Sequence, residues 1–252
     1  MLTISKLQLL GIPIDAVDFS QALDIITMFI EAKNTALVFT PNAEILVKAH
    51  DDKEFAQILR EADLVVPDGS SLIWAAKVLG KPLKTRVTGI DLMQLLLAEA
   101  NKKEWSVFFL GAKPNVIKLA AKNVKEKYPN LKLQGFHHGY FKDDLEPLNL
   151  INSAKPDLLF VGMGAPLQEK WLVANRSRLQ VSVAMGVGGS FDVLAGVTKR
   201  APQFIQNIGL EWLYRYIKEP ARLKRSSLLP RFVGLVLTEK WHKSKGGNEL
   251  EG

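Results

Sequence analysis

Five short apolar runs, each stopped by glycine or proline, constrain this chain more than any other feature. "TALVFT" (35–40) ends at Pro41-Asn42, and "ADLVVPDG" ends at Pro67-Asp68-Gly69. "WSVFFLGAKP" ends at Gly111, "PDLLFVGMGAP" at Gly162 and Gly164, and "VSVAMGVGGSFD" at Gly186, Gly188 and Gly189. Continuous apolar runs of this length predict strands buried on both faces. Helical patterns lie between them. Asp18 with Gln21 three residues on predicts a capping box ahead of "ALDIITMFIEAK", where Leu23, Ile26 and Ile30 share a face. "DDKEFAQILREA", "GIDLMQLLLAEANKK" and "NVIKLAAKNVKEKY" predict further helices. The alternation implies an α/β, Rossmann-like fold, a mostly parallel sheet flanked by helices. In such folds ligands bind beyond the carboxyl ends of the strands. The residues to watch are therefore Thr40, Asn42, Asp68, Gly111, Gly162, Gly164, Gln168 and the turn Gly188–Asp192.

Taken singly, these motifs leave alternatives open. "GVGGSFD" is either a tight strand-to-helix turn or a place where backbone N–H groups approach a diphosphate. "VGMGAPLQE" lacks the third spaced glycine of a dinucleotide fingerprint, which counts against a nicotinamide-dependent oxidoreductase. No lysine follows either glycine cluster in the manner of a phosphate-binding P-loop. Asp68 is a turn residue in Pro-Asp-Gly or a general base at a strand's carboxyl edge. Arg86 is a surface arginine or an anion clamp. His137 and His138, adjacent in an expected strand, should point to opposite faces and make a poor chelating pair. With no cysteine and no His/Glu/Asp spacing of a zinc site, no metal is expected. A Gly-x-Ser-x-Gly elbow is absent as well.

Charge divides the chain. From Lys199 onward there are 11 Lys/Arg and 5 Asp/Glu, against 22 and 21 before it. The tail therefore carries +6 of the net +7. Its segment "GLEWLYRYIKEPARLKR" mixes aromatics with cations, and "SSLLPRFVGLVLTEKWHKSK" repeats the recipe, with Pro230 expected to break the helix before a second apolar patch. Such pieces either dock on the core or lie on a membrane surface, aromatics at the interface and basic residues on headgroups. Their aliphatic content exceeds what a nucleic-acid arm requires, and an exposed apolar tail would also favour self-association. The expected organisation is an α/β domain over 1–195 and a helical, basic, membrane-associating appendage over 196–252. The N-terminus reads as no signal peptide and the apolar runs are too short to span a bilayer, so a cytoplasmic protein is expected.

In order along the chain, "TPNAEILVKA", "ADLVVPDGSSLIWAAKVLG", "RVTGIDLM", "FFLGAKP", "VGMGAPLQEKW", "GVGGSFDVLAG", "KRAP" and "GLEWLYRYIKEPARLKR" resemble the WecG/TagA/CpsF glycosyltransferases, glycosyltransferase family 26. The likeness is greatest to the teichoic-acid branch. It implies an inverting, metal-independent enzyme without a cofactor. Such an enzyme moves N-acetylmannosamine from UDP to the 4-hydroxyl of polyprenyl-diphosphate-linked N-acetylglucosamine at the inner face of the cell membrane. Relatives that use the corresponding uronic acid or UDP-glucose define the alternative donors. The resemblance makes Asp68 the general base, with Thr40 and Asn42 lining its pocket. Arg86 and Gln168 would bind substrate, and Gly111, Gly162, Gly164, Gly188, Gly189 and Asp192 would hold UDP. Arg215, Arg222 and Arg225 of the tail would complete the site. A different class, a non-catalytic membrane or nucleic-acid adaptor with structural glycine turns, is the competing reading.

Overall fold

The five predicted runs become five adjacent strands of one parallel sheet. The computed structural model describes residues 4–81, 83, 85–202, 205, 214 and 228–247. The six-stranded sheet has the order β4-β3-β8-β7-β5-β6, built from β3 (Ala36–Phe39), β4 (Leu64–Val65), β5 (Ser106–Gly111), β6 (Lys132–His137), β7 (Leu158–Gly162) and β8 (Val183–Gly186). Every neighbouring pair is parallel. Only β6 was not among the apolar runs. It lies at the edge and alternates exposed with half-buried residues, so no continuous apolar signal marks it.

Alternate residues of each strand feed two separate cores. On one face, Leu37, Phe39, Phe108, Leu110, Leu159, Val161 and Ala184 pack under α2 (Ala43–Asp51), α3 (Lys53–Arg60), α4 (Ser70–Val78), α7 (Leu145–Ala154) and α8 (Leu167–Asn175). On the other, Val38, Val107, Phe109, Phe160, Val183 and Met185 pack under α1 (Phe19–Ala32), α5 (Gly89–Lys103), α6 (Pro114–Lys127) and α9 (Ser190–Leu194). Burial on both sides is why these strands show no polar alternation. The capping box of α1 forms as expected: Asp18 Oδ1 accepts from the Gln21 N–H, and Gln21 Oε1 from the Asp18 N–H.

A hairpin, β1 (Lys6–Leu9) and β2 (Ile12–Asp15), precedes the sheet. Its two turn residues, Leu10 and Gly11, both have positive φ, the condition for a turn whose twist matches the strands. Asp15, almost fully buried, accepts from the Val65 N–H at 2.8 Å and ties this hairpin to β4. Burial pushes its carboxyl above the ordinary value, against the opposing pull of that hydrogen bond and of Lys6.

The C-terminal helix α10 (Leu228–Gly247) corrects one expectation. Pro230 does not break it. Proline sits in the first turn, where its missing N–H would have had no helical acceptor. Part of the second apolar patch belongs to the body: Phe232 and Val236, one turn apart, are fully buried within the first core. The helix packs against α2 and α4. Arg231 grips Asp51 with two hydrogen bonds of 2.6 Å, and Glu239 Oε2 accepts from the Leu10 N–H at 3.1 Å. The opposite side of α10 carries Leu237 and Trp241, 50% and 55% exposed. Phe232→Ala should therefore lower the unfolding free energy by about 3–5 kcal/mol, the usual cost of emptying a buried aromatic site. Trp241→Ala should cost no more than about 0.5 kcal/mol, both read from urea midpoints.

Candidate active site

The carboxyl edge of the sheet gathers nearly every residue singled out above. β5 sends its chain outward to β6, whereas β7 sends its chain the other way to β8. Strands with diverging connections open a crevice above their ends. The floor of that crevice is backbone. At Gly111, with φ of +134°, an added Cβ would stand 2.3 Å from the Gly162 carbonyl oxygen. At Gly162 it would stand 2.5 Å from the Phe191 ring and 2.7 Å from the Gly188 oxygen. Neither position admits a side chain, so β5, β7 and the turn after β8 touch directly.

Gln168 joins the two glycine turns. Its side chain, 4% exposed, accepts through Oε1 from the Gly164 N–H at 3.2 Å and from the Gly188 N–H at 3.0 Å. Its Nε2 donates to Glu169 Oε1 at 2.8 Å. The Gly164 and Gly188 N–H groups thus point at a protein amide. The glycine turns are clamped from within, a role the sequence did not suggest for Gln168. Gly189 and Asp192 open α9, and the Asp192 carbonyl accepts from the Val197 and Thr198 N–H groups, folding the following segment back over the turn.

Asp68 and Thr40 meet at Gly89. The Asp68 carboxylate accepts from the Gly89 N–H at 3.3 Å, and an added Cβ at Gly89 would lie 2.8 Å from Thr40 Oγ1. Thr40 Oγ1 donates to the Gly186 carbonyl at 3.4 Å. A carboxylate at the first N–H of α5 sits at the positive end of a helix. Asn42 sits beside them as the N-cap of α2, its Oδ1 accepting from the Ile45 N–H at 3.1 Å. A continuous set of contacts therefore runs from Asp68 through Gly89, Thr40 and Gly186 to Gln168, then to Gly164, Gly188, Gly162 and Gly111.

Two charged groups behind this line were missed. Thr88 caps α5, and its hydroxyl is hydrogen-bonded to the Asp91 carboxylate. Asp91 in turn holds Arg200 of "KRAP" with two bonds, 2.6 and 3.0 Å. Burial raises the Asp91 pKa. The bonds from Arg200 and Thr88 and the charges of Arg200 and Arg86 outweigh it, leaving the carboxyl below its ordinary value. The Thr-x-x-Asp pattern of a capping box was the available signal. Glu169 is the second, 2% exposed, its carboxyl pushed up by burial despite the Gln168 bond and the Lys48 charge.

Among the described residues, no group of three or more His, Asp or Glu stands close enough to hold a metal ion. His137 and His138 do not point apart. β6 ends at His137, the chain turns, and the two rings lie 4.4 Å from each other. Arg215, Arg222 and Arg225 lie outside the described residues.

The model of the WecG/TagA/CpsF glycosyl transferase family matches residues 7–246. The chain is 37% identical over 219 residues to a protein of Bacillus spizizenii, covering 87% of this chain and 85% of the relative. A Bacillus subtilis protein is 36% identical over 215 residues, 85% of this chain and 84% of the relative. One from Staphylococcus aureus is 34% identical over 239 residues, 94% of each. All three bear the name N-acetylglucosaminyldiphosphoundecaprenol N-acetyl-beta-D-mannosaminyltransferase.

The Asp91–Arg200 pair gives a pH-dependent prediction. A carboxyl with a lowered folded pKa stabilises the fold above its ordinary value of 3.8, and this is lost as pH falls through the folded value. Asp91→Asn should lower stability at about pH 6 by roughly 1–2 kcal/mol, discounted because the carboxylate is partly exposed. Its urea midpoint should also fall less steeply than that of the wild type between about pH 5 and pH 3.

Proposed function

The chain belongs to the WecG/TagA/CpsF family of glycosyl transferases, and from that premise we propose that it transfers N-acetylmannosamine from UDP to polyprenyl-diphosphate-linked N-acetylglucosamine. The shared name of the relatives supports this donor over the uronic acid and glucose, and supports the lipid-linked acceptor. The observation that carries the mechanism is the Asp68 carboxylate, held at the first turn of α5 against Gly89, beside Thr40 at the carboxyl edge of the sheet.

The reaction is a single displacement. The acceptor 4-hydroxyl oxygen attacks the anomeric carbon as the bond from that carbon to the diphosphate oxygen breaks. The hydroxyl proton passes to Asp68, and UDP departs with the bonding electrons. Attack opposite the leaving group inverts the anomeric centre. The Gly89 N–H and the α5 terminus hold the Asp68 carboxylate aimed. We assign Thr40 and Asn42, on the same edge, to the sugar hydroxyls. The negative charge that develops on UDP calls for fixed donors. Arg86, close enough to Asp91 to act on it electrostatically, is one such group, and the turn Gly188–Asp192 lies on the UDP side.

We assign the tail arginines Arg215, Arg222 and Arg225 to the same diphosphate, brought in where the lipid acceptor resides. The support is the concentration of charge beyond Lys199 and the exposed Leu237 and Trp241 on α10, which suit a peripheral contact with a lipid surface. No helix among the described residues is long and apolar enough to cross a membrane.

UDP release from UDP-N-acetylmannosamine, measured with and without the lipid-diphosphate N-acetylglucosamine, tests the reaction. Acceptor-dependent release should fall about 100-fold or more in Asp68→Asn, the range for loss of a general base. Wild-type protein that releases no UDP would overturn the reaction, and a fully active Asp68→Asn would overturn the base. Arg215→Glu, Arg222→Glu or Arg225→Glu should each cut turnover about tenfold with an unchanged melting temperature, as expected for groups that stabilise developing charge. A matching loss of melting temperature would instead mark a structural role.

A further inference from the structure

A carboxylate buried beneath the crevice needs an explanation. Glu169 is 2% exposed, and among the described residues its Oε2 has no hydrogen-bond partner. Burying such a group costs stability unless it is well paired. The cation near it, Lys48, donates to the Ala165 carbonyl at 3.3 Å and acts on Glu169 through charge alone. Its Oε1 accepts from Gln168 Nε2 at 2.8 Å.

That bond sets the direction of an amide. Gln168 has an oxygen that can only accept and a nitrogen that can only donate. Two backbone donors, the N–H groups of Gly164 and Gly188, converge on one end of it. Turned over, the amide would set its NH2 against both donors and lose both bonds. An acceptor at the other end excludes that orientation, and Glu169 Oε1 is that acceptor. Gln168 also lies against β8, where an added Cβ at Gly186 would meet its Nε2 at 2.8 Å, so the amide has no room to shift aside.

We propose that Glu169 is a positioning residue: it locks the Gln168 amide so that Oε1 holds the turns after β7 and β8 at the fixed separation that receives the sugar nucleotide. This rests on the transferase reading for its link to catalysis, but the clamp itself is a property of the apo protein. Glu169 acts through Gln168 and touches no reacting atom. Its side-chain oxygen is needed as an acceptor, and its charge is not.

Three variants separate these statements. Glu169→Gln keeps an acceptor oxygen, Glu169→Met removes it at similar volume, and Gln168→Ala removes the clamp. Amide hydrogen exchange by NMR reads the clamp without any substrate. In Glu169→Met, exchange at Gly164 and Gly188 should quicken about tenfold or more, as expected when a backbone hydrogen bond is lost. In Glu169→Gln it should stay near that of the wild type. The UDP-release assay should follow, with Glu169→Met raising KM for the UDP-sugar about tenfold and Glu169→Gln staying within about threefold. The double variant Gln168→Ala/Glu169→Met should be no worse than Gln168→Ala alone, since the two act as a unit. Unchanged exchange in Glu169→Met, equal losses in the Gln and Met variants, or additive losses in the double variant would overturn the proposal. Should Glu169→Met fail to fold, Glu169→Gln with quickened exchange at both glycines would overturn it as well. If exchange behaves as expected but the wild type releases no UDP, the clamp stands and the transferase reading fails.

Discussion

Backbone touching backbone at the carboxyl edge of the sheet is the constraint on which the rest of this molecule depends. Three neighbouring strands end in glycine, and their chains approach so closely that a single methyl group at Gly111 or Gly162 would collide with main-chain or ring atoms. This contact removes side chains from the crevice above the strand ends. It also leaves polar backbone groups in a half-buried setting, where they need partners. Gln168 supplies one for the two turns, and the crevice keeps its shape because that amide is itself restrained.

The second organising feature is electrostatic and sits at the start of α5. One short stretch, Arg86 to Asp91, contributes a cation, an N-cap, an N–H for Asp68 and an anion for Arg200. The helix end stabilises negative charge from both Asp68 and Asp91. Asp91 passes that restraint on to Arg200, near which the basic part of the sequence begins. The proposed base and Arg200 are thus held by the same turn of helix.

Helix α10 serves two surroundings. Phe232 and Val236 complete the core on the side of α2 and α4, while Leu237 and Trp241 face outward. An amphipathic stripe read alone gives no preference between a protein surface and a lipid surface, because both reward the same removal of apolar area from water. Only the position of α10 against the body assigns Phe232 and Val236 to the first.

By itself the sequence determined the sheet, most of its helices and the edge that holds the candidate site. Continuous apolar runs ending in glycine can be satisfied only by strands covered on both faces, and the capping pattern at Asp18 marks a helix start with local hydrogen bonds. Asp68, Thr40 and the glycine turns were legible because each closes a strand. Tertiary structure alone decided the rest: that Gln168 is an internal clamp, that Glu169 lies buried behind it, that Arg200 binds Asp91 across 109 residues, and that Phe232 belongs to the core. The reason is range. Strand and cap signals are written within a few residues of where they act, whereas these four depend on partners brought together only when the sheet is complete.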